Sequence, residues 1–449
     1  MNSPSSFHVG LRIVGGLMIG LLIGVVLLVV GAHWWLSRYL HGESFRQLVS
    51  ATTAAALHAE GEYLPLQWSG ASAYSDGFHA RGLPGSPLRE LRADQIRAEI
   101  EIAGLWRNLW RFSGVEVQRL TATLGPPSQA DVAAQVAPRK SGRSVRVELQ
   151  PLRIHDANIE WIGAGAVSGA VRHARLLLKW GDGVWEAIAS GGELRLGSIE
   201  PVRIEQAQAR FQRDAAFLRD SQLRLVAGGK LTVNGQIGFG PEAAADLVVQ
   251  HEGVPVDRWL PADWRGRLVG QARGQSQLKG PLGDPARMRA EGVVELTQGR
   301  LEALPVLNRL AAFTGSEQFR QLELQKARTE YTWTGRGLRL QRVLMESTGL
   351  LRMEGNCVVE NGVLDGEFDL GVSAAALRWL PGARGRVFTE ERDGYRWTKV
   401  KLRGPTNEIQ EDLSSRLVAA AGAEAIEGAK GMVQQGAETV LGIFRRLIQ

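Results

Sequence analysis

KLTVNGQIGFG, Lys230 to Gly240, puts Leu231, Val233, Ile237 and Phe239 on one side of an extended chain and Thr232, Asn234 and Gln236 on the other. Successive side chains of a strand point to opposite faces, so alternation at period two marks a strand with one apolar face. TEYTWTGRGLRLQ (Thr329–Gln341) repeats the pattern with Tyr331, Trp333, Leu338 and Leu340, and GEFDLGVS (Gly366–Ser373) with Phe368, Leu370 and Val372. In LKGPLGDPARMRAEGVVELTQGRL (Leu278–Leu301) a Gly-Pro…Asp-Pro turn ends one run, and Val294 and Leu296 resume it on one face. A looser copy, LRGPTNEIQEDL (Leu402–Leu413), has Ile409 where the second proline would stand.

Asp182-Gly183, Asn361-Gly362 and Asp393-Gly394 sit between such runs. These dipeptides accept the positive φ angles of type I′ turns and predict β-hairpins. The 54 glycines among 449 residues exceed the usual ~7% and fit a turn-rich chain. The reading from about Glu62 to Gly404 is therefore a mainly β body, a long antiparallel sheet of consecutive hairpins. Three short helical patches interrupt it: Gly104–Phe112, VDRWLPADW from Val256 and ALPVLNRLAAF from Ala303. None is long enough to cover the sheet. A sheet must hide its apolar face, so the body either closes as a sandwich or barrel, or stays an open trough that holds something apolar. Periodicity alone leaves both open.

Both ends differ from the body. Ile13 to Leu36 carries no charge, and a helix of that length covers roughly 36 Å, enough for a ~30 Å hydrocarbon core. It runs into Trp34, Trp35 and Tyr39, residues suited to the membrane interface, and reads as an uncleaved signal anchor. Arg12 precedes it and Arg38 and Arg46 follow, so charge does not fix its orientation. Gly16, Gly20 and Gly24 share one face and form a candidate helix–helix contact. Ser44 to Gly61 reads as a helix leading away from the anchor. At the other end, residues 411–449 place Leu413, Leu417, Ile426, Ala429, Val433 and further apolar residues at helical steps. That amphipathic helix either packs against the sheet end or binds a membrane surface.

Reactive constellations are missing from the pattern. The eight histidines are dispersed, with no HExxH pair, no GxSxG elbow and no phosphate loop. His155 and Asp156 are adjacent in a strand and point to opposite faces. The net charge of +6 comes from scattered arginines, and the thirteen tryptophans are dispersed, which argues against nucleic acid as a partner. Cys357, the one cysteine, reads as a buried structural thiol. The expectation is a protein that is not an enzyme, with no catalytic residue, metal or cofactor.

Two regions resemble the AsmA-like family of Gram-negative bacteria, the group that includes TamB and YhdP. Leu64–Leu120, beginning LPLQWSGASAYSDGF, is similar to the family's first strands, and Leu260–Gly315, with its Gly-Pro…Asp-Pro turn and GVVELTQGRL, to its carboxy-terminal module. The resemblance implies one amino-terminal helix in the inner membrane, a periplasmic β-groove and movement of phospholipid toward the outer membrane. It favours the trough over the sandwich. It also implies the division 1–12 cytoplasmic tail, 13–36 anchor, 37–61 helical linker, 62–255 first part of the groove, 256–410 carboxy-terminal module and 411–449 amphipathic helix. Acyl chains would lie against Leu231, Val233, Ile237, Phe239, Val294, Leu296, Tyr331, Trp333, Leu338, Leu340, Phe368 and Leu370. A periplasmic scaffold or assembly factor for outer-membrane proteins, meeting an outer-membrane or other envelope protein at its terminal helix, is the alternative.

Overall fold

The computed structural model describes residues 42–431 apart from 71, 102–108, 126–145, 150, 163–167, 198–199, 213–214, 239–243, 258–259, 261–263, 282–283, 303–306, 309–310, 313–316 and 380–381. Ile13–Leu36 with Gly16, Gly20 and Gly24, residue Phe239 and the tail beyond Gly431 lie outside the described residues. Among the described residues no helix is long and apolar enough to cross a membrane. The chain is mainly β and divides into two compact units, residues 1–164 with 168–187, and residues 165–167 with 188–449.

Unit 1 opens with helix α1 (Glu43–Ala56), followed by β1 (Ala59–Tyr63), β2 (Leu66–Ser69), β3 (Ser72–Gly82), β4 (Leu88–Glu101), β5 (Leu109–Leu124), β6 (Arg146–Leu149), β7 (Leu152–Trp161) and β8 (Gly169–Gly181). The helix read over Ser44–Gly61 stops early. His58 takes a left-handed φ of 49°, and from Ala59 the chain pairs with β3 instead. Phe45 is buried and meets the Trp68 ring at 5.6 Å, so α1 lies over the first strands. The remaining core runs across the strands themselves, through Phe78, Ala93, Ile96, Val117, Ile154 and Ala157.

Two further expectations fail in unit 1. Leu109–Phe112, read as the end of a helix, lies in β5 and pairs with both β4 and β6. Residues 104–108 of that reading lie outside the described residues; for Leu109–Phe112 the end of so short a helical pattern gives way to pairing with two flanking strands. The sheet is also not wholly antiparallel, because β5 pairs in parallel with β6 and with β7. No hairpin joins those strands.

Strand β9 (Val184–Ser190) crosses the division. Unit 2 continues with β10 (Glu193–Leu196), β11 (Val202–Phe211), β12 (Ala215–Leu225), β13 (Lys230–Gly238), β14 (Ala244–Pro255), β15 (Leu268–Pro281), β16 (Arg289–Glu302), β17 (Gln321–Leu324), β18 (Lys326–Thr334), β19 (Gly337–Ser347), β20 (Leu351–Glu360), β21 (Val363–Ser373), α2 (Ala383–Arg386), β22 (Glu390–Arg392), β23 (Tyr395–Pro405), β24 (Gln410–Glu411) and α3 (Leu413–Gly431). From β10 to β16 each strand pairs antiparallel with the next, and the order continues through β18, β19, β20, β21 and β23. This is the meander of hairpins read from the sequence.

The predicted turns form as expected. Asp182 and Gly183 have φ of 52° and 77°, Asn361 and Gly362 of 50° and 78°, and Asp393 and Gly394 of 53° and 79°. The repeated Gly-Pro turn has a common basis too. Gly280 and Gly404 take φ of 133° and 114°. A Cβ there would stand 2.8 Å from the Arg287 carbonyl oxygen and 3.0 Å from that of Glu408, so only glycine lets the returning chain pass so closely. After the first turn β16 runs for fourteen residues; after the second β24 runs for two before α3 begins.

Several strands carry bulges at non-glycine residues with positive φ. The Asp220 N–H donates to Asn234 Oδ1 at 2.7 Å, Arg342 N–H to Asn356 Oδ1 at 2.9 Å, and in unit 1 His173 N–H to Asn158 Oδ1 at 3.2 Å. In each case an asparagine on the adjoining strand satisfies the backbone group that the bulge removes from the ladder. Such bulges bend a strand and sharpen its twist.

The densest core of unit 2 lies at one rim. Phe319, Leu322, Leu377, Phe388 and Leu413 are almost fully enclosed, and they pack with Leu370, Val372 and Val400 of the sheet. The short helical turns, α2 and the first turns of α3 thus cover the Val372 end of the apolar face. Leu413, Leu417 and Ala420 of α3 pack against the sheet end, one of the two roles read for that helix.

Candidate functional site

The registers decide which side chains share a face. One row across unit 2 reads Val233, Val249, Ser276, Gly292, Tyr331, Leu340, Cys357, Gly366 and Leu402. A second reads Leu247, Leu278, Ala290, Trp333, Leu338, Val359 and Leu364. Leu231 and Ile237 flank Val233 at period two, Leu296 follows Val294, and Phe368 and Leu370 follow Leu364. The eleven described residues singled out from the sequence therefore lie on one continuous apolar face.

Their burial differs along that face. Leu370 is 2% exposed and Phe368 6%, and both belong to packed clusters near the rim core. Their apolar surface is already taken up by protein. Leu231, Ile237, Val294, Leu296, Tyr331, Leu338 and Leu340 are half-buried, Val233 is buried, and Trp333 is 36% exposed. The buried cluster in this stretch, Val202, Leu225, Val254 and Ala272, joins neighbouring strands of the same sheet. In a stacked sandwich the inward residues of central strands form the fully buried core; here Val233 and Cys357 are buried, while Leu231, Ile237, Val294, Leu296, Tyr331, Leu338 and Leu340 stay half-buried.

The opposite face is charged and internally paired. Arg273 and Arg328 flank Glu295 at 2.8 and 3.5 Å, Arg342 meets Glu330 at 2.8 Å, Lys279 meets Asp246 at 3.6 Å, and Arg403 meets Asp365 at 3.0 Å. These are largely solvent-exposed pairs, each worth little to stability, in which opposite charges neutralise one another. The contrast between the two faces is the main chemical feature of unit 2.

Cys357 lies on the apolar face, and burial pushes its thiol up to about 11. It is therefore a neutral thiol at physiological pH, as the sequence reading expects. His251, on β14, is held below its usual range by burial, with a backbone hydrogen bond at Val249 acting in the opposite sense.

One constellation escaped the sequence reading. Asp156 accepts from Arg119 Nε at 3.1 Å and from Asn158 Nδ2 at 3.1 Å, and stands 3.2 Å from His173 Nδ1. Partial burial raises its carboxyl, and these hydrogen bonds outweigh that, so it titrates below the usual range. The neighbour in sequence, His155, takes no part. The partner comes from β8, where the bulge at His173 turns its ring toward Asp156; no local signal marks that pairing. His173 is 77% exposed along its side chain, and the group reads as a surface ion pair. Among the described residues no three His, Cys, Asp or Glu side chains form a group able to hold a metal ion.

No family model, curated protein or solved structure matches the chain.

Proposed function

We propose that this chain is a member of the AsmA-like family and works as a membrane-anchored conduit for phospholipid. In this reading Ile13–Leu36 anchors it in the inner membrane, the β body stands in the periplasm, and acyl chains lie along an open apolar groove. The observation that carries it is the half-buried apolar face of β13–β19 set against a polar, ion-paired reverse face. Contiguous apolar surface of this kind is unusual on a soluble chain unless a ligand or partner covers it. An acyl chain suits it: burying methylene groups returns about 0.8 kcal/mol each, with no directional bond to break as the lipid slides. Head groups remain in water along the groove's mouth. The groove residues are Leu231, Val233, Ile237, Val294, Leu296, Tyr331, Trp333, Leu338 and Leu340; Phe368 and Leu370 are packed under protein near the rim and bound the groove at that end without facing lipid. No reactive side chain takes part, and the role is one of holding lipid without altering it.

The test is mass spectrometry of lipids extracted from the full chain, purified in mild detergent and passed through gel filtration. The expected result is diacyl phospholipid in at least equimolar amount. Protein free of lipid after gentle preparation overturns the conduit.

A further inference from the structure

On the polar face of unit 1, four strands place one residue each on a single row. Ser75 pairs with Ile96, Ile96 with Val117 and Val117 with Ile154; further along, Gly77 pairs with Asp94, Asp94 with Arg119 and Arg119 with Asp156. Between those two rungs lie Asp76 of β3, Gln95 of β4, Gln118 of β5 and His155 of β7, side by side and all exposed. Ladder pairs form on either side of this row and not within it. Gln95 takes a left-handed φ of 54° and forms a bulge in the middle of the row. Two residues along, Tyr74, Arg97 and Glu116 form a second row on the same face. The two rows line a cleft of about 400 Å³.

The charged groups around the cleft are satisfied, and the row inside it is not. On one side Arg92 meets Asp94 at 2.9 Å and Arg119 meets Asp156 at 3.1 Å; on the other Arg97 meets Glu99 and Arg153 meets Glu116, both at 3.6 Å. Among the described residues, the side chains of Asp76, Gln95, Gln118 and His155 make no hydrogen bond or ion pair. The bulges at His173, Asp220 and Arg342 are each closed by an asparagine that accepts the bulged N–H. No side chain of a described residue does this at Gln95.

We propose that this cleft binds a neutral saccharide. The ligand class follows from the groups on offer. A phosphate or sulfate calls for free cations, and Arg97 and Arg153 are already paired with carboxylates. A peptide strand adds at an exposed sheet edge, whereas β3, β4, β5 and β7 are paired on both sides at this level. A metal ion is not served, because Asp76 and His155 stand at opposite ends of the row, three strand spacings or roughly 14 Å apart. What remains suits hydroxyl groups, which both donate and accept. The carboxamides of Gln95 and Gln118 do the same, Asp76 accepts, and the His155 ring offers one of each. Tyr74, 36% exposed, adds an aromatic ring beside them. A saccharide chain laid along the row meets one side chain per strand at intervals of about 4.8 Å, close to the length of one pyranose ring. The inference concerns unit 1 alone and neither needs nor supports lipid binding on unit 2.

The test is saturation-transfer NMR and calorimetry on the full chain in a zwitterionic detergent, since detergents with sugar head groups compete for such a site. The probes are cellohexaose, maltohexaose and chitohexaose, with inorganic phosphate and a Gly-Ser hexapeptide as controls. At least one oligosaccharide is expected to bind with millimolar affinity or better. Gln95→Ala/Gln118→Ala is expected to weaken it at least about tenfold, through the loss of two hydrogen-bonding side chains. Thermal melting should be nearly unchanged, because both side chains are exposed and unbonded. No binding of any of the three oligosaccharides overturns the proposal. So does equal binding by the variant, or tighter binding of phosphate or the peptide than of any saccharide. Gln118→Ala alone replaces the double variant where circular dichroism shows that the latter has not folded. A smaller loss in the same direction then supports the site, and no loss overturns it.

Discussion

A chain carrying Ile237→Glu and Leu338→Glu is expected to fold normally and to lose its lipid. Ile237 and Leu338 lie on β13 and β19, on the apolar face and half-buried. If that face is a groove, each carboxylate reaches water along the open side, and the loss of stability stays near about 1 kcal/mol, the usual size for a point change away from a packed core. A lipid meets a different situation. Holding a charge against hydrocarbon costs about 2.5–3.5 kcal/mol, which lowers retention on the order of a hundredfold. A closed sandwich gives the opposite pair of results, because an unpaired buried charge costs several kcal/mol and the variant unfolds. Thermal melting and lipid content, measured on one preparation, separate the two.

The second large effect belongs to the rim core. Phe388 is fully buried and packs with Phe319, Leu322, Leu377 and Leu413 over the Val372 end of the sheet. Phe388→Ala is expected to cost about 3–5 kcal/mol, the range for removing a large aromatic side chain from a close-packed site. Leu338→Ala, at a half-buried site, is expected to cost about 1 kcal/mol. Because two units share the chain, a single unfolding free energy is not well defined, and hydrogen exchange of the β21 and β23 amides is the suitable readout. Phe388→Ala should raise exchange there by hundreds to thousands of fold if those strands open locally. Leu338→Ala should leave it nearly unchanged. Equal effects at both sites would mean that the apolar face is packed as tightly at β19 as at the rim.

The parts of the fold that could be read from the sequence are those with local causes. Asn361-Gly362 and Asp393-Gly394 adopt the positive φ pair because those residues tolerate it wherever they stand. The face assignment of Leu231, Val233, Leu338 and Leu340 followed from period two, which a strand imposes without reference to its neighbours. What could not be read depends on distant partners. The parallel pairing of β5 with β7 is set by which strand is available, and nothing in Leu109–Leu124 records it. The bulges at Asp220 and Arg342 lack a glycine to mark them; their signature is an asparagine fourteen residues on, Asn234 and Asn356. The rim core gathers Phe319, Leu377, Phe388 and Leu413 from short segments with no common periodicity. For that reason Leu370, read as groove-lining, is found under protein cover. Of the helical spacing read over Gly104–Phe112, residues 104–108 lie outside the described residues, and Leu109–Phe112 pair as strand instead.

The central claim is that acyl chains lie on one face of this sheet. Photo-crosslinking by face tests it most directly, since lipid bound elsewhere on the chain cannot imitate the result. p-Benzoylphenylalanine is placed at Leu340, on the apolar face, and separately at its neighbour Arg339, on the polar face, in the full chain within native membranes. The account predicts lipid adducts at Leu340 and none at Arg339, with the Leu340 adduct abolished by Ile237→Glu and Leu338→Glu. Adducts at both positions, or at neither, would contradict it.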